Sequence, residues 1–193
     1  MQYVLASASP RRKELLLEVI PDFEIIPSAF DEGQVQGDLP PHILVKKLAE
    51  GKAKDVALRP ENDGKIVLGS DTVVAFGKNA LGKPKDERDA KEMLGALSGK
   101  KHHVYTGVCL IQAKAGEIIW QKTAAAKTAV YFEKLTEEFI DEYVAGGSPM
   151  DKAGAYGIQD GGLVKKIKGS YSNVVGLPVE LVKKMVQKAK KQG

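Results

Sequence analysis

The stretch at residues 65–75 constrains this chain most. Ile66, Val67 and Leu68 precede, and Val73, Val74 and Ala75 follow, a centre of Gly69-Ser70-Asp71-Thr72. Short apolar runs on both sides of small residues read as one central strand. Asp71 is its anomaly. A carboxylate among apolar neighbours is costly unless it is paired or binds a metal ion. A salt-bridged or capping aspartate at a strand end is the plainer alternative.

The rest of the chain supplies helices and further strands for that strand to meet. Residues 3–6 read as a short buried strand leading into Ser7-Ala8-Ser9-Pro10-Arg11-Arg12. Pro10 suits the first helical turn, Ser9 suits the N-cap, and a helix is expected to continue through Val19. Backbone N–H groups, hydroxyls and guanidinium groups meeting at one helix start can hold phosphate. An ordinary capped helix with solvated arginines is the alternative. A strand is expected at 23–27, a polar loop after Asp31-Glu32-Gly33, and a helix at 42–58 in which Gly51 is locally unfavourable. After the central strand come a turn at 77–79, a helix at 86–97, and a hairpin of strands 102–112 and 118–132 about Gly116-Glu117. A helix capped by Thr136 runs to Gly146. The stretch 148–162 reads as glycine-rich and irregular, 163–167 as a strand, 169–178 as a loop, and a last helix starts near Pro178. This order predicts a mixed α/β fold, with an elongated sheet dividing two lobes and one domain spanning residues 1–193.

Several chemistries are excluded. The chain has no P-loop, no G-x-G-x-x-G and no G-x-S-x-G. Cys109, the single cysteine, lies in an apolar strand and reads as a buried, inert thiol; no intrachain disulfide is possible, which suits a reducing, cytoplasmic location. His102 and His103 are adjacent on a strand and point opposite ways, so at most one would face a site. No apolar run approaches the about 20 residues of a membrane span, and Arg11 to Glu14 interrupt any signal-peptide core. The net charge of +4 and pI near 9.0 suit a polyanionic partner. The densest basic block, Lys183 to Lys191, reads instead as the solvated face of an amphipathic helix.

Three histidines and one cysteine cannot build a Cys/His zinc cluster. Carboxylates would bind any metal, which suits Mg²⁺ or Mn²⁺. Asp71 could do so with a carboxylate of Asp31-Glu32, although those two also read as a solvated loop. Lys52 reads as a surface lysine on a helix face. Lys83, between Gly82 and Pro84, is held in a constrained turn. Gly154, Gly157, Gly169 and Gly176 permit close approach of backbone to a ligand, or simply make turns. Carboxylates, isolated cations and glycine-rich loops suit metal-assisted attack of water on a phosphate ester or anhydride.

The chain resembles the Maf family of nucleoside triphosphate pyrophosphatases over nearly its whole length. The resemblance is carried by Ala6-Ser7-Ala8-Ser9-Pro10-Arg11-Arg12, Asp31-Glu32, Lys52-Ala53, Gly69-Ser70-Asp71-Thr72-Val73-Val74 and Gly82-Lys83-Pro84. It continues with Ser98-Gly99 and His102, Val104, Thr106 and Gly107, with Asp151 to Gln159, and with Gly169-Ser170-Tyr171 and Asn173 to Pro178. It implies an α/β fold related to the inosine triphosphate pyrophosphatases, with a central nucleotide cleft between two lobes, and hydrolysis of a nucleoside triphosphate between the α and β phosphates. Asp71 would be the general base and, with Glu32, would hold the divalent cation (Mg²⁺ or Mn²⁺). Ser7, Arg12, Lys52 and Lys83 would bind phosphates, with Lys83 also serving the chemical step. One branch places a tryptophan after the proline and is similar to 7-methyl-GTP hydrolases. Here Arg11 follows Pro10, as in the dTTP/UTP branch, where Arg11, Thr72 and Gln159 would tune specificity. Thr72 and Gln159 can each donate and accept hydrogen bonds, as a pyrimidine edge requires. The resemblance also implies a homodimer, clearance of modified pyrimidine nucleotides, and a housecleaning role linked to restraint of cell division.

The rivals are a pyrophosphatase for another nucleotide, such as 7-methyl-GTP, and a basic nucleic-acid-binding regulator of septum formation. With six tyrosines, five phenylalanines, one tryptophan and no aromatic cluster among basic residues, a single-strand stacking platform has no support. The expected partner is a nucleoside triphosphate, and neither a nucleic acid nor a membrane.

Overall fold

Alternation along three neighbouring strands decides the layering. The computed structural model describes residues 1–77 and 79–191. The strands are β1 (Tyr3–Leu5), β2 (Glu24–Ile25), β3 (Ile66–Phe76), β4 (Asn79–Leu81), β5 (Lys101–Lys114), β6 (Glu117–Phe132) and β7 (Val164–Lys168). They form one seven-stranded sheet in the order β2-β1-β3-β5-β6-β7, with β4 paired to β3. β1 runs parallel to β2 and β3, while β4 is antiparallel to β3 and β7 to β6. β5 and β6 are neighbours joined by residues 115 and 116 alone, and so short a link requires an antiparallel hairpin. Ala115 and Gly116 both have positive φ, at 52° and 79°, matching the twist of the flanking strands. The mixed α/β class expected from the sequence is the one observed.

The helices are α1 (Pro10–Leu17), α2 (Pro41–Ala57), α3 (Glu87–Leu97), α4 (Glu137–Ala145), α5 (Tyr171–Val175) and α6 (Val179–Ala189). The chain falls into two compact units. The first holds Met1–Asp71, Thr106–Ala126 and the chain from Gly176 onward; the second holds Thr72–Tyr105 and Lys127–Val175.

In the first unit each strand sends alternate residues to opposite faces. Tyr3, Leu5, Ile66, Leu68, Val108 and Leu110 pack with Leu16 and Ile20 near α1 and with Val182, Met185 and Val186 of α6. The intervening Val4, Ala6, Val67, Cys109 and Ile111 pack with Ala49, Ala53, Val56 and Ala57 of α2. Val179, Val182, Met185, Val186 and Ala189 of α6 are buried, while Lys183, Lys184 and Lys188 are exposed, as its amphipathic pattern requires. The second unit has its own core. Ala90, Leu94 and Leu97 of α3 and Ile140 and Val144 of α4 pack with Val74, Val104, Val130, Phe132, Tyr156 and Leu163.

Local signals set several boundaries correctly. Ser9, Asp86 and Thr136 cap α1, α3 and α4 with their side chains. Four expectations need correction. α1 ends at Leu17, two residues before Val19. The stretch 169–178, expected as a loop, contains the helix α5, and its buried Asn173 donates to the Val104 carbonyl at 3.1 Å and Thr128 Oγ1 at 3.0 Å. The irregular stretch at 148–162 holds three 3-10 turns, Ser148–Asp151, Ala153–Ala155 and Ile158–Asp160. β4 was not anticipated, because three residues following a turn carry no period of their own. Lys78, centre of the expected turn at 77–79, lies outside the described residues.

Candidate functional site

In the first unit the site begins where α2 lies on β3. Gly69 and Asp71 are two apart on β3 and share a face. A Cβ at Gly69 would lie 2.3 Å from the Ala49 carbonyl oxygen and 2.6 Å from the Ala53 nitrogen. One at Gly107 of β5 would lie 2.1 Å from the Val45 carbonyl oxygen. The two glycines let α2 approach the strand backbones directly. That approach brings Lys52, beside Ala53, onto Asp71. Lys52 Nζ lies 2.6 Å from Asp71 Oδ1 and 2.7 Å from Glu32 Oε1. The Lys52 and Asp71 side chains are only 15% and 11% exposed, so the surface reading of Lys52 is wrong. A cation is needed there because Asp71 is buried and must be paired.

Glu32 arrives by a different device, one the sequence reading missed. The Ser28 hydroxyl and the Ala29 N–H donate to Asp55 Oδ2 of α2 at 2.9 and 2.8 Å. One helical turn earlier, the Phe30 ring sits where a side chain at Gly51 would be, with ring atoms 2.4–2.7 Å from an ideal Cβ. Gly51, locally unfavourable in a helix, is what admits Phe30. Positions 51, 52 and 55 thus receive the chain at 28–30 and set the turn Glu32–Gln34, capped by Asp31, beside Lys52. The only sequence signal was the misplaced glycine itself.

Ser7, Arg11 and Arg12 gather at the start of α1. The Arg12 guanidinium donates through Nε to the Gly176 carbonyl at 2.9 Å and through Nη1 to Ser7 Oγ at 3.3 Å. Ser7 Oγ also accepts the Ser9 N–H at 3.2 Å. The Ser70 hydroxyl reaches the same Gly176 carbonyl at 3.4 Å, and the Gly107 carbonyl at 2.9 Å. Gly176 therefore ties the arginine turn to the residue preceding Asp71. Arg11 is half-buried in the first turn of α1.

Thr72, Lys83 and Gln159 belong to the second unit. Thr72 is half-buried on β3 and shares a face with Val74. The turn Ala153–Ala155 lies on Val74: a Cβ at Gly154, whose φ is 70°, would come within 2.8 Å of Val74 Cγ2. The Gly154 N–H donates to the Gly82 carbonyl at 2.9 Å, which fixes the turn carrying the exposed Lys83. Gln159 is exposed on the turn Ile158–Asp160. Thus Ser7, Arg11, Arg12, Glu32, Lys52 and Asp71 fall in one unit, and Thr72, Lys83 and Gln159 in the other.

Electrostatics follow from burial. Desolvation raises the Asp71 carboxyl above its ordinary value, against the charges of Lys52 and Arg12, and Glu32 raises it further. Burial lowers the Arg12 guanidinium, Asp71 opposes this, and Arg11 adds to it. Burial pushes the Cys109 thiol up to about 12, which makes it the inert group expected. His102 is buried with its Nε2 2.7 Å from the Tyr156 hydroxyl, in a core rather than a site.

The donor set suits a hard cation. Asp71 and Glu32 each place one oxygen on Lys52, and their other oxygens, Oδ2 and Oε2, accept no hydrogen bond among the described residues. Mg²⁺ is ordinarily held by one or two carboxylates completed by water and substrate phosphate. Among the described residues no three acidic, histidine or cysteine side chains form an all-protein cage. No helix there is long and apolar enough to cross a membrane.

The family model described as Maf-like protein matches residues 2–189. A dTTP/UTP pyrophosphatase of Clostridium botulinum (strain 657 / Type Ba4) is 47% identical over 188 residues, covering 95% of this chain and 94% of that protein. A dTTP/UTP pyrophosphatase of Clostridium novyi (strain NT) is 48% identical over 187 residues, covering 96% of each. Among solved structures, a HAM1 protein from Coxiella burnetii has a TM-score of 0.51 at 14% identity, covering 97% of this chain and 99% of that one. That last likeness is one of fold alone.

Proposed function

The chain belongs to the Maf family, and on that footing we propose that it hydrolyses dTTP and UTP between the α and β phosphates, releasing a nucleoside monophosphate and pyrophosphate. The observation that carries this reading is the convergence of Asp71 and Glu32 on Lys52. Two carboxylates held around one ammonium make a preorganised acidic pair beside a cation, a setting suited to a phosphoanhydride and its attacking water.

Asp71 is the general base. It lies on a central strand with Lys52 and Arg12 opposing the cost of its burial, which holds it in place to accept a proton from water. Asp71 and Glu32 would also hold the Mg²⁺ or Mn²⁺ ion through the oxygens that Lys52 leaves available. When bound, such an ion supplies neutralisation of phosphate charge. Ser7, Arg12 and Lys52 bind the triphosphate; Arg12 is already oriented by Gly176 and Ser7. Lys83, exposed on its pinned turn, stabilises charge developing on the leaving phosphate. Arg11, Thr72 and Gln159 select the base.

Purified protein with Mg²⁺ or Mn²⁺ should release pyrophosphate from dTTP and UTP faster than from other nucleotides, 7-methyl-GTP included. Asp71→Asn should lower the rate about 10²- to 10⁴-fold with the fold intact by circular dichroism. Pyrophosphate from no nucleotide in the panel would overturn the reading, and orthophosphate alone would remove the α–β cleavage.

A further inference from the structure

Gln159 lies in a stretch without an α-helix or β-strand, yet a residue that reads a base must be held firmly. What holds it is a half-buried phenol. The Tyr143 hydroxyl, from the last turn of α4, accepts the Gly157 N–H at 3.0 Å and donates to Asp160 Oδ2. The Ser148 hydroxyl donates to the same Asp160 oxygen at 2.7 Å. Lys152 Nζ donates to the carbonyl oxygen of Ser148, and lies 3.0 Å from its hydroxyl. The chain is therefore tied to one hydroxyl two residues before Gln159 and one residue after it.

We propose that Tyr143 and Asp160 are positioning residues that fix Gln159 and so set base preference, an inference that rests on Gln159 reading the base. The packing leaves this turn little freedom. A Cβ at Gly157 would lie 2.8 Å from both Asp160 Oδ2 and Lys152 Cε. The donor and acceptor roles are also stable to pH. Burial and the bond to Asp160 push the Tyr143 phenol up to about 12, so it keeps its proton. Burial alone would raise the Asp160 carboxyl, but the bonds from Tyr143 and Ser148 and the Lys152 charge outweigh it and hold the group below the ordinary carboxylate range. Neutral phenol to carboxylate is thus the fixed polarity of the contact around neutrality. Gln159 itself needs no partner within the protein under this arrangement, and its amide stays available to a base edge.

The test is a selectivity ratio, which a merely structural role would not move. kcat/KM is measured for dTTP, UTP, dCTP and GTP in the wild-type chain, Gln159→Ala, Tyr143→Phe, Asp160→Asn and Ser148→Ala. Tyr143→Phe keeps the ring and removes both bonds, and should cut the preference for dTTP and UTP about threefold to tenfold. Asp160→Asn keeps an acceptor and should retain more of it. Ser148→Ala removes the bond to Asp160 and the Lys152 contact to that hydroxyl, leaves both Tyr143 bonds in place, and gives the reading should Tyr143→Phe not fold. If Gln159→Ala erodes the preference while Tyr143→Phe, or Ser148→Ala in its place, leaves every ratio unchanged, the positioning inference is wrong and the site reading stands. Equal losses on all four nucleotides would likewise reduce Tyr143 to a folding role and overturn it. If Gln159→Ala leaves the ratios unchanged, both readings fall.

Discussion

His102 makes the stability of this protein depend on pH in a calculable way. The ring is 1% exposed, and its Nε2 contacts the Tyr156 hydroxyl at 2.7 Å. Burial, with a smaller contribution from His103, pulls its pKa down from the ordinary 6.5 to about 4. The unfolded chain therefore takes up a proton near 6.5, and the folded chain only near 4. Between those values the unfolded state binds more protons, so stability rises with pH there. The contribution is fully present above 6.5 and is lost as the pH falls toward 4. The full gap is worth about 3 kcal/mol, and lowering the pH from about 7.5 to about 5 should remove about 2 kcal/mol. Urea unfolding at a series of pH values gives the stability directly. His102→Gln keeps a polar group near Tyr156 and abolishes the titration, so its curve should be flatter than the wild-type curve by that amount. Asp55 and Asp160 are held below the ordinary carboxylate range and titrate outside this window, and His103 is common to both chains. Parallel curves for the two proteins from about pH 7.5 to about 5 would refute the buried-neutral account.

Two further outcomes test the site. Gly51→Ala gains about 1 kcal/mol of helix propensity but displaces Phe30, whose half-buried ring can swing toward solvent. Stability by urea midpoint should change by less than about 1 kcal/mol, while kcat/KM falls about tenfold or more because Glu32 is misplaced; unchanged turnover would show that Phe30 does not position Glu32. Arg11→Trp should erode the preference for dTTP and UTP in the nucleotide panel, and unaltered relative rates would remove Arg11 from base selection.

What the chain determines by itself is whatever depends on atoms within about one helical turn or one strand period. Ser9, Asp86 and Thr136 cap their helices, and the alternation of Tyr3-Val4-Leu5 and Ile66-Val67-Leu68 settles which residues share a face. Asp71 declares itself in the same way, since a carboxylate in an apolar strand needs a partner wherever the rest of the chain goes. The partner's identity is a tertiary matter. Lys52 reads as a solvated lysine until Gly69 and Gly107 let α2 close on the sheet and bring its ammonium to 2.6 Å from Asp71. Gly51 is a local defect until Phe30 fills its place, and Gln159 is an unremarkable loop residue until Tyr143 binds the Gly157 N–H and the Asp160 carboxylate on either side of it. Helix α5 is illegible for the same reason: Asn173 is held by Val104 and Thr128, residues brought near only by the sheet. Local preferences are worth tenths of a kcal/mol to about 1 kcal/mol per residue, so burial and pairing between distant segments override them wherever the two conflict.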